Sequence, residues 1–303
     1  MNPQICLAIC TYNRADLLRE AIASVLEAID LSNGLHGVLI VDNGSNDSTA
    51  QVVKSFAHPR LRYVFEPVIG LSVARNCALE STNADFVAYM DDDARLDRDW
   101  FREAEKILAT KEVRVFGGPH FPVFPQRRPI WMPQTFGSHL ISIQELRFLN
   151  FPTESLYGSN IVIHREKALN LGGFREDLGL QGSQRHYGEE TELQERFVRE
   201  GFFPFFSPRM RIYHIVNPEK YRIRNLVKWS YFSGRSRDQL PRYRSGALRS
   251  SLNLGSDFLY ALYSSLRSPE PWLWKLVQIL IHWAWVWGAF KGPRKKLFLN
   301  ERS

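Results

Sequence analysis

Short apolar stretches alternate along the first 120 positions with longer segments whose apolar residues recur every three or four places. Residues 5–10, 37–41, 61–65, 86–90 and 113–116 read as strands, being short, rich in Val, Ile, Leu and aromatics, and bounded by turn formers. Residues 15–28 read as a helix, because positions 17, 18, 21, 22, 25, 26 and 29 are apolar and share one face. Asn46-Asp47-Ser48 can cap a second helix running to about residue 56, and residues 71–79 and 99–108 have the same helical period. Strands alternating with helices predict a mainly parallel sheet covered on both faces. In such a sheet ligands sit beyond the carboxyl ends of the strands, where strand order reverses.

Beyond residue 118 the pattern changes. Pro119, Pro122, Pro125, Pro129, Pro133 and Pro152 interrupt residues 119–157, which are also rich in aromatics. This segment is read as a loop region holding at most a short helix, of the kind that carries substrate contacts. Residues 161–164 and 211–215 are strand-like, and Gly158-Ser159-Asn160 leads into the first of them. Residues 187–201, 221–232 and 271–290 are helical windows. The last carries Trp272, Trp274, Trp283, Trp285 and Trp287, and its apolar run falls short of the roughly 20 residues a bilayer span needs.

Composition narrows the class. Hydrophobic residues make up 44% of 303, enough for one large domain or two ordinary ones with a real core. Cys6, Cys10 and Cys77 are too few and too scattered for a disulfide framework or a zinc site, so they are expected to be reduced thiols. No secretory leader is expected at the N-terminus, where residues 5–9 begin a strand. Charge is uneven: residues 204–303 hold 18 Lys/Arg against 5 Asp/Glu, a net of +13, while residues 1–203 hold 21 against 27, a net of −6. A basic, Trp-rich end suits an anionic surface. From charge alone this could be nucleic acid or acidic lipid; with the Trp cluster, peripheral membrane contact is favoured over packing in an oligomer.

Asp91-Asp92-Asp93 closes the strand at 86–90. Carboxylates crowded at a strand end repel one another and call for a cation or a donor-rich ligand. Hard oxygens at that density suit Mg2+ or Mn2+, which bind phosphate oxygens in turn. Thr11-Tyr12-Asn13-Arg14 and Asp42-Asn43-Gly44-Ser45 follow the first two strands and share the same rim. Asp42 can accept a base imide N–H, and Tyr12 offers a ring for stacking. In the window 187–201, Glu192–Arg196 and Glu195–Arg199 are i,i+4 pairs expected on a solvated face. Glu190 instead shares a face with Leu193 and Phe197, where desolvation would raise its pKa toward that of a useful base.

In this order and spacing, Cys10-Thr11-Tyr12-Asn13-Arg14, Val41-Asp42-Asn43-Gly44-Ser45-Asn46-Asp47, Gly70-Leu71-Ser72-Val73-Ala74-Arg75-Asn76, Asp91-Asp92-Asp93, Gly172-Gly173-Phe174 and Gly188-Glu189-Glu190 resemble a family 2 inverting glycosyltransferase of the GT-A fold. The resemblance covers about residues 4–215. It implies a GT-A catalytic domain over 1–215, with a nucleotide-binding half to about 118 and an acceptor half after it, and a helical tail over 216–303. It also implies that Thr11, Tyr12 and Arg14 line the nucleotide pocket, that Asp42 holds uracil, and that Arg75 lies near the nucleotide. Asp91 and Asp92 would touch ribose or sugar, and Asp93 with His214 would hold Mn2+ or Mg2+. The family's base is the Asp of a Gly-Glu-Asp motif; Glu190 occupies that position here, and Glu189 is its neighbour. The implied partners are a UDP-sugar and a glycan or lipid-linked acceptor hydroxyl, in polysaccharide or glycolipid synthesis at the cytoplasmic face of a membrane, without nucleic acid, with a homo-oligomer possible. Two other classes compete: a nucleotidyltransferase, which would favour a Gly-rich loop where Thr11–Arg14 has none, and a non-catalytic binding protein on the same fold.

Overall fold

The computed structural model describes residues 3–181, 184–185, 187–235 and 272–291. In chain order the elements are β1 (Ile5–Thr11), α1 (Ala15–Asp30), β2 (Gly37–Asp42), α2 (Thr49–Lys54), β3 (Leu61–Phe65), α3 (Leu71–Glu80), β4 (Phe86–Asp91), β5 (Ala94–Leu96), α4 (Trp100–Thr110), β6 (Val115–Gly117), β7 (His120–Val123), β8 (Arg147–Phe148), β9 (Ile161–His164), α5 (Arg165–Asn170), β10 (Leu180–Gln181), β11 (Gln184–Arg185), α6 (Glu189–Arg199), β12 (Phe205–Phe206), β13 (Ile212–Ile215), α7 (Ile223–Arg235) and α8 (Trp272–Lys291). They form two units. The first comprises residues up to 127, 134–184 and 188–218; the described parts of the second are 128–133, 185, 187, 219–235 and 272–291.

The first unit is built on an eight-stranded sheet of order β3-β2-β1-β4-β9-β6-β12-β8. β1 runs parallel to both β2 and β4, and β2 runs parallel to β3. β9 lies antiparallel between β4 and β6. β1 and β2 are near-continuous apolar runs because both sides of the sheet are covered. Ile5, Leu7 and Ile9 meet α1 and α4 on one side, while Cys6 and Ala8 face Ala74 and Ala78 of α3 on the other. The chain leaves β1 outward to β2 and β3, then returns to β4 on the opposite side of β1. Strand order therefore reverses between β1 and β4, where Cys10 and Asp91 are in register.

The sheet predicted from the first 120 residues is present, with differences that matter. The acidic triplet is a corner. β4 ends at Asp91, and the chain turns straight into β5, which belongs to a second sheet of order β5-β13-β7. Residues 119–157 contain two short strands and no helix. Pro122 is accommodated in β7 because β7 is an edge of the second sheet, where a missing N–H is harmless. The second helix starts at Thr49 after Ser48 at the N-cap position, whose side chain makes no capping bond; Asp47 Oδ1 instead accepts from Thr49 N at 2.9 Å while its Oδ2 accepts from Ala15 N at 3.1 Å. One carboxylate thus serves the starts of α2 and α1. Glu192 is buried rather than solvated: it pairs with Arg196, whose guanidinium also donates to the carbonyls of Leu171 and Gly173. The three cysteines are free thiols.

In the second unit, α7 and α8 lie side by side. Ser230 Oγ donates to Ile281 O at 2.5 Å, and Gly234 sits where a Cβ would collide with the Trp285 carbonyl. Trp274, Val277 and Ala284 of α8 are buried, whereas Trp272, Leu273, Leu276, Leu280, Trp283 and Trp287 are exposed at helical spacing. Among the described residues, no helix is long and apolar enough to cross a membrane. The basic end at 292–296 lies outside the described residues.

Asn160 is a fastener beneath the switch point rather than a pocket residue. It is 1% exposed; its Oδ1 accepts from Trp100 Nε1 at 3.0 Å and its Nδ2 donates to Met210 O at 2.7 Å and Pro119 O at 3.2 Å. Asn160→Ala strands three buried polar groups, each costing about 1–3 kcal/mol. A stability loss of about 3 kcal/mol or more is expected in urea unfolding, against under 1 kcal/mol for an exposed control such as Asn33→Ala.

Candidate active site

The loops after β1 and β2 are tied together at the switch point. Asn13 adopts φ 54°, a left-handed conformation that Asn tolerates better than most residues. Its N–H donates to Ser45 Oγ at 2.9 Å, and its Oδ1 accepts from Asn46 N at 2.8 Å. Asp42 is buried at the end of β2; it accepts from Ser45 N at 2.8 Å and from Tyr63 OH at 2.7 Å. Tyr12 is exposed and Thr11 is buried. Thr11 Oγ1 donates to Asp92 at 2.8 Å, and Arg14 Nη1 bridges Asp92 at 2.9 Å and Asp93 at 3.0 Å. Burial pushes the Asp92 pKa up to about 6 even though Arg14 pulls it down. Asp92 therefore faces inward as a brace for the first loop.

Asp93 reaches both Arg14 and His214, and Asp91 turns toward His214. β13 brings His214 back opposite Ala94, and Ile215 N donates to Asp93 O at 2.8 Å. His214 Nε2 then lies 3.0 Å from Asp93 and 3.8 Å from Asp91. Ligand atoms of Asp91, Asp93 and His214 all fall within 4.8 Å of one another, the one such group among the described residues. Two carboxylates and an imidazole converging at that spacing fit a divalent cation with oxygen and nitrogen ligands. Partial burial and then the Asp93 charge raise the Asp91 pKa, against His214, Arg75 and Arg14. Asp91, expected on ribose or sugar, thus joins the metal-type group.

Gly188 precedes α6 with φ 98°, a left-handed conformation that glycine adopts without strain. It turns Glu189 and Glu190 into the first helical turn, where the helix dipole favours negative charge. Glu189 is the more deeply buried of the two, 5% exposed, and accepts from Arg75 Nη1 at 2.6 Å. Arg75 is 4% exposed, with its guanidinium 5.4 Å from the Phe174 ring centre and 5.8 Å from that of Tyr89. A Cβ at Gly158 would press into that guanidinium, so glycine there leaves room for it. Arg75, expected near the nucleotide, is paired with Glu189. Glu190 is half-buried beside this pair. Desolvation, and then the Glu189 charge, push its pKa up to about 8, with Arg75 opposing.

The structure therefore brings Thr11, Tyr12, Arg14, Asp42, Asp91, Asp92 and Asp93 onto one rim, and β13 adds His214. Tyr63 and Gln194 also support the site. Their sequence signal was slight: alternation in β3 marks Tyr63 only as half-buried, and nothing local pairs Gln194 with Leu156.

The family described as glycosyl transferase family 2 matches residues 6–172. The succinoglycan biosynthesis protein ExoM of Rhizobium meliloti is 24% identical over 252 residues, covering 82% of this chain and 78% of its own. A glucosyl-dolichyl phosphate glucuronosyltransferase of Haloferax volcanii is 26% identical over 245 residues, covering 77% and 76%. Among solved structures, the mannosyltransferase PcManGT of Pyrobaculum calidifontis, in complex with GDP-Man and Mn2+, superposes with a TM-score of 0.63 at 19% identity, over 96% of this chain and 88% of that one. TarS residues 1–349 of S. aureus, in complex with UDP-GlcNAc, gives 0.54 at 13% identity, over 95% and 91%. These structural likenesses establish the GT-A fold. With more than half of its residues matched by that one family, the chain belongs to glycosyl transferase family 2 and is a glycosyltransferase.

Proposed function

We propose that the chain is an inverting, metal-dependent hexosyltransferase that moves one sugar from a nucleotide-diphosphate donor, a UDP-sugar, to an acceptor hydroxyl of a growing polysaccharide or glycolipid. The observation that carries this reading is the placement of two chemically different centres in one unit: Asp91, Asp93 and His214 at the β4–β5 corner, and Glu190 at the start of α6. The relatives named for succinoglycan biosynthesis and for transfer to a dolichyl-phosphate sugar support the polysaccharide or glycolipid setting.

In this account Tyr12 stacks on the base, and Asp42 accepts the uracil N3–H with a lone pair that Ser45 and Tyr63 do not use. Thr11 and Arg14 set the loop around the nucleotide through Asp92. Asp93 and His214, with Asp91, would hold a divalent cation, which neutralises charge building on the departing diphosphate. Glu190 takes the proton from the acceptor hydroxyl as that oxygen displaces the diphosphate in one step, which inverts the anomeric centre. Arg75 is a positioning residue: it neutralises Glu189, so that Glu190 alone carries the labile proton.

Donor binding should depend on Asp93. In thermal-shift titration with UDP, Mn2+ is expected to raise Tm for the native chain and to have no such effect on Asp93→Ala. An equal Mn2+-dependent shift in the variant contradicts the assignment.

The charges of Glu189 on its own helix and of Arg75 from α3 act on Glu190 in opposite directions. Its pKa is raised, so the base form grows as pH rises through about 8, and kcat/KM should rise over that range. Glu190→Gln should lose about 10²–10⁴-fold in transfer, with donor binding kept and the pH dependence flattened. An unfolded glutamate ionises lower, so between its ordinary pKa and about 8 the native state holds the extra proton and stability declines as pH rises. Glu190→Gln removes that decline and should melt higher than the native chain at neutral pH. Transfer that survives in Glu190→Gln but fails in Glu189→Gln moves the base to Glu189.

The exposed Trp and Leu stripe of α8, with the basic excess after residue 204, supports peripheral contact with acidic lipid. Co-sedimentation with anionic vesicles should weaken with salt, as the Debye length falls from about 10 Å at 0.1 M to about 3 Å at 1 M. Replacing Trp272, Trp283 and Trp287 by Ser should abolish the salt-resistant fraction while leaving donor binding intact; undiminished pelleting of that variant removes the membrane reading.

A further inference from the structure

An exposed aromatic ring stands between the two centres without a part in the mechanism above. Tyr157 is 47% exposed, and its ring lies flat on the imidazole of His139, with centroids 3.5 Å apart and planes 6° apart. The edge of His120 abuts the same ring at 5.4 Å, and the His120 ring stacks in turn over His214 of the metal-type group at 6.4 Å. On the other side, Leu156, the residue before Tyr157, is tied through Gln194 to the turn that carries Glu190.

The ring is held from beneath. Gln194 of α6 is fully buried; its Oε1 accepts from Leu156 N and its Nε2 donates to Leu156 O, both at 2.9 Å. The same Nε2 donates to Glu190 O at 3.0 Å, so one side chain fixes Tyr157's neighbour to the turn that carries Glu190. Asn160 N donates to Tyr157 O at 3.0 Å. His139 is pinned by reciprocal backbone bonds with His120, and its Nε2–H donates to Ser155 O at 2.6 Å, which fixes the ring's tautomer and plane. A ring this firmly supported, with one face taken by His139 and nearly half its surface in solvent, is a preformed apolar plane.

The axial C–H face of a pyranose is the ligand such a plane suits, because those hydrogens meet the negative face of the π system while the equatorial hydroxyls stay free for polar partners. We propose that Tyr157, stacked on His139, is the platform on which a pyranose ring lies between the His214 group and Glu190. This deepens the hexosyltransferase reading and rests on it. The ring could belong to the acceptor's terminal sugar or to the donor's own sugar; the chemistry of the contact is the same.

The test is saturation-transfer NMR on the full chain with methyl glycosides of glucose, galactose, mannose and N-acetylglucosamine as probes. For at least one glycoside, saturation should concentrate on the protons of one ring face. Tyr157→Phe should keep this signal, and Tyr157→Ala should weaken apparent binding about three- to tenfold, the loss expected for one aromatic stack. A signal that survives saturating UDP and Mn2+ and the matching UDP-sugar assigns the platform to the acceptor; one displaced by the UDP-sugar but not by UDP assigns it to the donor. No face-selective signal in the native chain, an unchanged signal in Tyr157→Ala, or an equal loss in Tyr157→Phe overturns the proposal. UDP-induced thermal shift with Mn2+ is measured on the same samples. If the native chain shows no such shift, the donor reading fails separately while the glycoside signals still judge the platform.

Discussion

Five carboxylates, Asp91, Asp92, Asp93, Glu189 and Glu190, are gathered at one rim, Asp92 and Glu189 buried and the others partly so, and two guanidinium groups face them. Concentrated negative charge at low dielectric is costly unless it is paired, protonated or bound to a cation. Each carboxylate meets this constraint in its own way. Asp92 is braced by Thr11 and Arg14, Arg14 also reaches Asp93, Glu189 is paired with Arg75, and desolvation raises the pKa of Glu190. Asp91 and Asp93 converge on His214 with the donor set of a divalent cation.

Topology makes those solutions possible. Reversal of strand order between β1 and β4 places the first loop beside the acidic corner, and the immediate entry of the chain into β5 aims Asp93 at a second sheet. That sheet exists because β13 returns to pair with β5 and β7, and it delivers an imidazole from far along the chain. Asn160 and Gln194 fasten the same region from below, each using both ends of its amide. Rigid supports of this kind allow side chains at the rim to be held in fixed geometry while remaining open to substrate.

The parallel half of the fold was legible because its signals are local. Apolar strands, helical periodicity and the triplet at a strand end are all written in consecutive residues, and the rule for switch points then places the rim. What was not legible depends on distant pairing. Nothing near Arg75 in the sequence announces Glu189, which lies 114 residues away; its burial comes from the fit of α3 against the start of α6. Glu189 and Glu190 both share spacing with Leu193 and Phe197, so periodicity could not say which would be buried and paired. Asp91 and Asp92 look alike in sequence, yet the corner turns one toward His214 and the other toward Thr11. The proline-rich stretch hid β7 because an edge strand tolerates a residue that an interior strand rejects.

The central claim is that the charge deficit at the β4–β5 corner is met by a divalent cation shared with the donor's diphosphate. The most direct measurement is anomalous diffraction from crystals grown with UDP and Mn2+. The account predicts one strong anomalous peak bonded to Asp93 and His214, within reach of Asp91, and in contact with the diphosphate oxygens. A diphosphate bound at the rim with no peak there, or with the manganese held by other side chains, would contradict it.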